Sequence, residues 1–215
     1  MGELGRRPDR EIALVEEHLP GNSAKIRLLL DLIEQQPGRV LDVGCGDLSL
    51  WAALDDRPEV IGVDVELPPS RVPEIERLPA SALELPFEEA EFDAVVSTQM
   101  LDDLRDRTGA LREMARVLRA DGLLFLTCDA GETPRPWRAR LQRIPRAPTL
   151  AELREEAAAA GFAVDVLRRY GRHDLKRIQG GLTGPERLRT MEHEESVEID
   201  DPREWGLLYL RAHRA

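Results

Sequence analysis

Two glycines in the turn Gly44-Cys45-Gly46 follow an apolar run, Val40-Leu41-Asp42-Val43, that carries one carboxylate. Glycine lets a backbone approach a ligand where a side chain would block it. The segment after the turn, Leu48 to Leu54, reads as a helix whose first amide groups would be unpaired. Asp64 closes the next apolar run, Val60 to Val65, 20 residues beyond Gly44. A carboxylate at that place accepts both hydroxyls of a ribose. The bland reading of two such glycines is an ordinary turn. A dinucleotide site would want Gly-x-Gly-x-x-Gly, and Ser49 stands where its third glycine belongs.

These residues need a scaffold. Ile26, Leu29, Leu30 and Ile33 recur at three- and four-residue spacing, which predicts a helix over 24–36, with Asn22 or Ser23 as its cap and Pro37-Gly38 as its stop. Strands are predicted at Val40 to Val43, Val60 to Val65 and Phe92 to Thr98, with a short one around Ile75 to Ser81. Leu111, Met114, Ala115 and Leu118 share one face of a helix over 104–118. Asp121-Gly122 then turns the chain into the strand Leu123 to Cys128. Thr149 caps a helix through Ala160, and Gly161 ends it. Strands at Phe162 to Leu167 and Trp205 to Ala212 complete the set. Strands alternating with helices predict an α/β fold, with a mainly parallel sheet covered on both faces.

The bulk properties set limits. At 215 residues, 42% hydrophobic and 33% charged, the chain is expected to be a single domain with an ordinary core. No apolar run approaches the roughly 20 residues that span a bilayer. Met1 to Arg10 is charged and lacks the apolar stretch of a signal peptide, so a cytoplasmic location is expected. Cys45 and Cys128, the two cysteines, read as buried reduced thiols. A net charge of −11 argues against coating nucleic acid by charge alone, although the acidic excess lies before residue 135 and the remainder is mildly basic. Neither Gly180-Gly181-Leu182-Thr183-Gly184-Pro185 nor Glu192-His193-Glu194-Glu195 has the spacing of a phosphate loop or a metal site.

Four segments in order resemble the class I S-adenosylmethionine-dependent methyltransferases, particularly the group with a Leu-Pro-Phe signature. Asp42, Gly44 and Gly46 sit on the first motif, Asp-x-Gly-x-Gly. Asp64 matches the ribose-binding carboxylate. Leu85-Pro86-Phe87 leads into Phe92-Asp93-Ala94-Val95-Val96-Ser97, and the run from Glu113 to Gly122 resembles the helix that ends in Arg-x-Leu-x-Pro-Gly-Gly. The resemblance covers residues 38–130 well and the remainder loosely. It implies a Rossmann-like three-layer sandwich with a seven-stranded sheet whose last strand is antiparallel. Residues 1–37 would then be an N-terminal helical segment, 38–130 a donor-binding half and 131–215 an acceptor-side half.

The resemblance implies S-adenosylmethionine as cofactor, held by Asp42, Gly44, Gly46, Asp64, Ser81, Ala82, Leu83 and Ser97, with Gln99 and Leu101 near the methyl group. Ser81 departs from the family, which often has an aspartate there to bind the adenine amino group. Leu101-Asp102-Asp103-Leu104 replaces the frequent Leu-Glu-His-Leu. The sulfonium is already a good leaving group, so the protein mainly holds donor and acceptor in line and excludes water. A hydroxyl or carbon-acid acceptor needs a base. Asp102 is best placed for that role among Asp102, Asp103, Tyr170, His173 and His193.

A small-molecule acceptor is the leading expectation. RNA is the second, because Arg135, Arg138, Arg140, Arg143 and Arg146 with Trp137 follow the fifth strand. A non-catalytic binder of an adenosyl ligand is the third. Residues 172–203 are expected to form a flap over the acceptor site, and the oligomeric state is not readable.

Overall fold

A computed structural model describes residues 23–54, 56–131, 145–171 and 206–215. Helix α1 (Ser23–Gln35) precedes strands β1 (Arg39–Val43), β2 (Glu59–Asp64), β3 (Glu76–Pro79) and β4 (Phe92–Thr98). Helix α2 (Arg107–Val117), strand β5 (Leu118–Asp129), helix α3 (Leu150–Ala159) and strands β6 (Phe162–Gly171) and β7 (Gly206–Arg214) follow. The predicted cap Asn22, the arginines from 135 to 143, Trp137, His173, His193, the 180–185 and 192–195 segments and the expected flap lie outside the described residues, as does the Tyr170 side chain.

The strands form one sheet in the order β3-β2-β1-β4-β5-β7-β6. Pairings among β1 to β5 are parallel, whereas β7 runs antiparallel to both β5 and β6. The expected seven-stranded sheet with an antiparallel last strand is therefore observed. Strand order reverses between β1 and β4, which opens a crevice beyond their carboxyl ends.

Both faces of the sheet are covered. On one face Leu41, Val43, Val95, Leu124 and Leu126 pack with Leu111 and Met114 of α2 and Leu153 of α3. On the other, Val40, Val96, Phe125 and Tyr209 pack with Leu28, Leu29 and Leu32 of α1. That second face also holds a buried polar knot. Tyr209 donates to Asp31 Oδ2 at 2.5 Å, and Arg27 and Arg211 lie 3.0 and 3.2 Å from the same carboxylate. A buried carboxylate is tolerated when it is paired and hydrogen-bonded in this way.

Helix ends follow side-chain chemistry. Asp106 caps α2 by accepting from the Gly109 amide at 2.8 Å. Thr149 and Glu152 form a reciprocal capping box at α3, as the Thr149 cap predicts. Cys45 and Cys128 are both buried and not disulfide-bonded.

Three expectations are corrected. The helix predicted over Leu48 to Leu54 is a single 3-10 turn, Trp51–Ala53. Leu48 adopts φ 63°, outside the helical region, and Leu48, Leu50, Trp51 and Leu54 are all buried, a set too wide for one helical stripe. The helix predicted over 104–118 starts only at Arg107, because Leu104 is extended and closes a separate 3-10 turn, Leu101–Asp103. The Asp121-Gly122 turn lies inside β5, which starts as soon as α2 ends. Asp121 has φ 59°, and the register against β4 shifts between the Phe92–Leu118 and Ala94–Leu123 pairs.

Candidate active site

β1 and β2 deliver the turn and the carboxylate to one place through their register, which pairs Asp42 with Gly62 and Val43 with Val63. The Gly44 and Cys45 amides both donate to the Val63 carbonyl, at 2.8 and 3.1 Å, so the turn hangs from the end of β2. Gly44 has φ 79° and Gly46 φ 50°, left-handed values that glycine adopts at little cost. A Cβ on Gly44 would lie 2.6 Å from the Met100 side chain, whereas one on Gly46 would meet nothing within 4 Å. Gly44 is thus needed for packing, and Gly46 faces open space.

Asp64 is held by backbone. Its Oδ2 accepts from the Gly46 amide at 2.9 Å and its Oδ1 from the Glu66 amide at 3.2 Å. Each oxygen keeps a lone pair for a diol, and the carboxylate cannot rotate away.

Beneath the turn, Asp42 is buried. Its Oδ2 accepts from the Trp51 indole at 2.7 Å, and its Oδ1 has no partner among the described residues. Burial pushes its carboxyl up to about 7, against the pull of the indole and of nearby Lys25. Asp42 is thus tied to Trp51 of the 3-10 turn that follows the glycines.

A cleft of about 270 Å³ opens at the carboxyl ends of β1, β2 and β4. Its lining comprises Val43, Gly44, Val63, Asp64, Val65, Ala80, Ser81, Ala82, Gln99, Met100, Asp103 and Leu104. Of the residues singled out from the sequence, Gly44, Asp64, Ser81, Ala82, Gln99 and Asp103 come together here. Gly46 reaches the cleft through its bond to Asp64. Leu83 lies beside Ala82, is 45% exposed, and donates its amide to the Ser81 hydroxyl at 3.2 Å. Asp42, Ser97, Leu101 and Asp102 do not line it.

Val43, Val63, Val65, Ala80, Met100 and Leu104 line the cleft without having been singled out. A 72% exposed Val65 beside Asp64 carries no mark in the sequence that separates it from core valines. Met100 was detectable only through its partner, since a glycine needed at position 44 implies a side chain pressed against it.

The Leu-Pro-Phe segment is seated by α2. Glu113 accepts from the Leu85 amide at 3.0 Å, and Arg116 donates to the Leu85 and Phe87 carbonyls at 3.0 and 2.8 Å. The two side chains also pair with each other at 2.9 Å. Arg116 holds the Glu113 carboxyl below its usual range. Phe87 meets Phe92 edge to face, ring centroids 4.9 Å apart. The 85–87 segment, which follows the cleft residues Ser81 and Ala82, is thereby tied to α2.

Asp102 lies on the 3-10 turn after β4, one residue from the cleft. Its Oδ1 is buried and has no hydrogen-bond partner among the described residues. Burial, helped by the negative charges of Asp129 and Asp103, pushes its carboxyl up to about 6. Arg146, the one described member of the arginine run, is occupied: it pairs with Glu152, and its own carbonyl accepts from Arg107 at 2.9 Å.

A family model described as a methyltransferase domain matches residues 41–126. A probable S-adenosylmethionine-dependent methyltransferase of Mycobacterium tuberculosis (strain ATCC 25618 / H37Rv) is 38% identical over 96 residues, 41% of this chain and 34% of the relative. The mitochondrial arginine-hydroxylase NDUFAF5 of Danio rerio is 31% identical over 147 residues, 65% of this chain and 43% of the relative. The chain thus spans less than half the length of these two curated relatives. Among solved structures, the Burkholderia thailandensis 1,6-didemethyltoxoflavin-N1-methyltransferase, bound to S-adenosylhomocysteine, superposes with a TM-score of 0.62 at 20% identity, covering 90% of this chain and 79% of that one. At that identity the likeness shows the fold. Motif, strand order and these matches agree: residues 41–126 match a methyltransferase domain, and the chain is similar to class I S-adenosylmethionine-dependent methyltransferases in sequence and fold.

Proposed function

We propose that the protein transfers a methyl group from S-adenosylmethionine to a small, neutral or cationic acceptor. The observation that carries the acceptor class is the charge of the cleft: its charged lining residues among those described are Asp64 and Asp103, both acidic. An RNA backbone or other polyanion would be repelled there. In this reading Asp64 holds the ribose, Gly44 and Gly46 give the donor access to backbone, and Ser81, Ala82 and Leu83 border its base. Gln99 flanks the methionine end, while Asp42 and Ser97 support the walls from within. We assign Asp102 as the base, reached when the Leu101–Asp103 turn, one residue of which lines the cleft, shifts to bring its buried oxygen to the acceptor. Among the described residues no helix is long and apolar enough to cross a membrane, which agrees with the cytoplasmic site we infer.

The test starts with calorimetric titration of S-adenosylhomocysteine and NAD into the purified protein. Micromolar or tighter binding of the first and none of the second is expected. Label from methyl-labelled donor should then enter the small-molecule fraction of a cell extract. Label in the RNA fraction would overturn the acceptor class. Donor binding with no transfer to any fraction would leave an adenosyl-ligand binder. The hydroxylase among the relatives makes that second stage necessary, because a matched core does not fix the reaction.

A further inference from the structure

The segment after the glycine turn forms the 3-10 turn Trp51–Ala53 rather than the helix predicted over Leu48 to Leu54, so the glycine turn is braced from elsewhere. Arg77, on β3, occupies that role by another route. Its Nη1 donates to the Gly46 carbonyl and to the Pro68 carbonyl, both at 2.8 Å. Gly46 also donates its amide to Asp64 Oδ2, and Asp64 Oδ1 accepts from Glu66, two residues before Pro68. The four contacts close a ring: Arg77 to Gly46, Gly46 to Asp64, Asp64 to Glu66, and along the chain through Pro68 back to Arg77. The carboxylate assigned to the ribose sits inside it.

The path of the Arg77 side chain is built in. Arg77 is the register partner of Gly62 on β2, and a Cβ on Gly62 would lie 3.2 Å from Arg77 Cγ and 2.7 Å from Cys45 Sγ. The missing side chain at position 62 lets the Arg77 stem cross β2 to reach Gly46. Arg71 adds a parallel staple, since its Nε donates to Asp47 Oδ2 at 2.6 Å and its amide to the Asp47 carbonyl at 2.9 Å.

We infer that Arg77 is a positioning residue for donor binding: it fixes the glycine turn and the 66–68 loop at one separation and so holds Asp64 in its ribose-binding orientation. The inference rests on the reading of Asp64 as the ribose carboxylate. A guanidinium suits the task because it stays charged and its planar fork of N–H groups is directional.

The experiment titrates S-adenosylhomocysteine into wild type, Arg77→Met, Arg77→Lys, Asp64→Ala, Asp64→Ala/Arg77→Met and Arg57→Met, with melting temperatures recorded for each. Arg57 is a suitable control because it bonds the Trp51 and Leu54 carbonyls and Glu74, outside the ring. Arg77→Met should weaken binding at least tenfold, and Arg77→Lys, which keeps a charged donor, should recover part of the loss. Arg57→Met should bind as wild type whatever its melting temperature. The double variant should bind no more weakly than Asp64→Ala alone, since the two act through one contact. Wild-type affinity in Arg77→Met, or additive losses in the double variant, would overturn the inference while leaving Asp64 in place. Wild-type affinity in Asp64→Ala would overturn the ribose reading itself, and this inference with it. Should Arg77→Met fail to fold, the comparison of Arg77→Lys with wild type decides.

Discussion

Asp64 lines the cleft and Asp102 lies one residue behind its wall, and the surroundings of these two carboxylates differ in kind. Both oxygens of Asp64 accept backbone amides, from Gly46 and Glu66. Asp102 keeps Oδ1 buried without a partner and faces the charge of Asp129. Amides fix a carboxylate in place, which suits holding a diol. Burial beside a second negative charge raises a carboxyl toward neutral pH, which suits exchanging a proton. One fold has made a clamp and a titrating group from the same side chain by what it supplies around each.

Replacing each carboxylate separates the two roles. Asp102→Asn should lower kcat on the order of 10²–10⁴-fold, the typical worth of a general base, with S-adenosylhomocysteine affinity within about twofold of wild type. Steady-state kinetics beside calorimetry check this, and an unchanged kcat would remove Asp102 from the chemistry. Asp64→Ala should do the converse, weakening donor binding about 10²-fold through loss of charge-assisted hydrogen bonds.

A pH series sharpens the contrast. Asp42, pushed up to about 7, and Asp102, pushed up to about 6, bind protons more tightly folded than unfolded. Their stabilising contribution is full below the unfolded value near 4 and is lost as pH rises through 6 and 7. Denaturant unfolding should show stability falling by about 4 kcal/mol between pH 5 and pH 8, with a visibly shallower fall in Asp42→Asn. A rise over that window would contradict the assigned burial. The smallest effect is expected at Arg146. Its exposed pairing with Glu152 should contribute no more than about 1 kcal/mol, so Arg146→Ala should shift the thermal midpoint by a few degrees and leave kinetics alone.

How much the sequence disclosed follows from what each contact demands of residue type. Gly44 is legible because φ 79° and a side chain at 2.6 Å exclude other residues. The Thr149–Glu152 capping box is legible because few pairs can make it. Val65, Ala80 and Leu104 are illegible as cleft residues, because an apolar wall uses the same amino acids as the core behind it. The 3-10 turn at Trp51 is hidden for a related reason: Leu48, Leu50 and Leu54 suit a helix by propensity, and only tertiary burial of Trp51 over Asp42 draws the segment out of one. Arg77 gave no sign, since a lone arginine on a short strand shows nothing of the two carbonyls it meets. Family resemblance implied the antiparallel run of the last strand but not its place between β5 and β6, because hydrophobic periodicity locates a strand and says nothing of its neighbours.

The knot joining Asp31 to Tyr209 spans 178 residues of sequence. It has a consequence for the order of assembly. β7 lies between β5 and β6, so β6 has no sheet partner among the described strands until β7 arrives. Helix α1, made early on the ribosome, must wait for the same strand before Asp31 meets the Tyr209 hydroxyl. Docking of the first described helix and closure of the sheet therefore share a late step gated by synthesis of β7, and such long-range closure is slow compared with local folding. Until then the nascent chain carries β6 as an open edge and α1 with Asp31 paired only to Arg27 of its own helix, an intermediate in which chaperone engagement has most to offer.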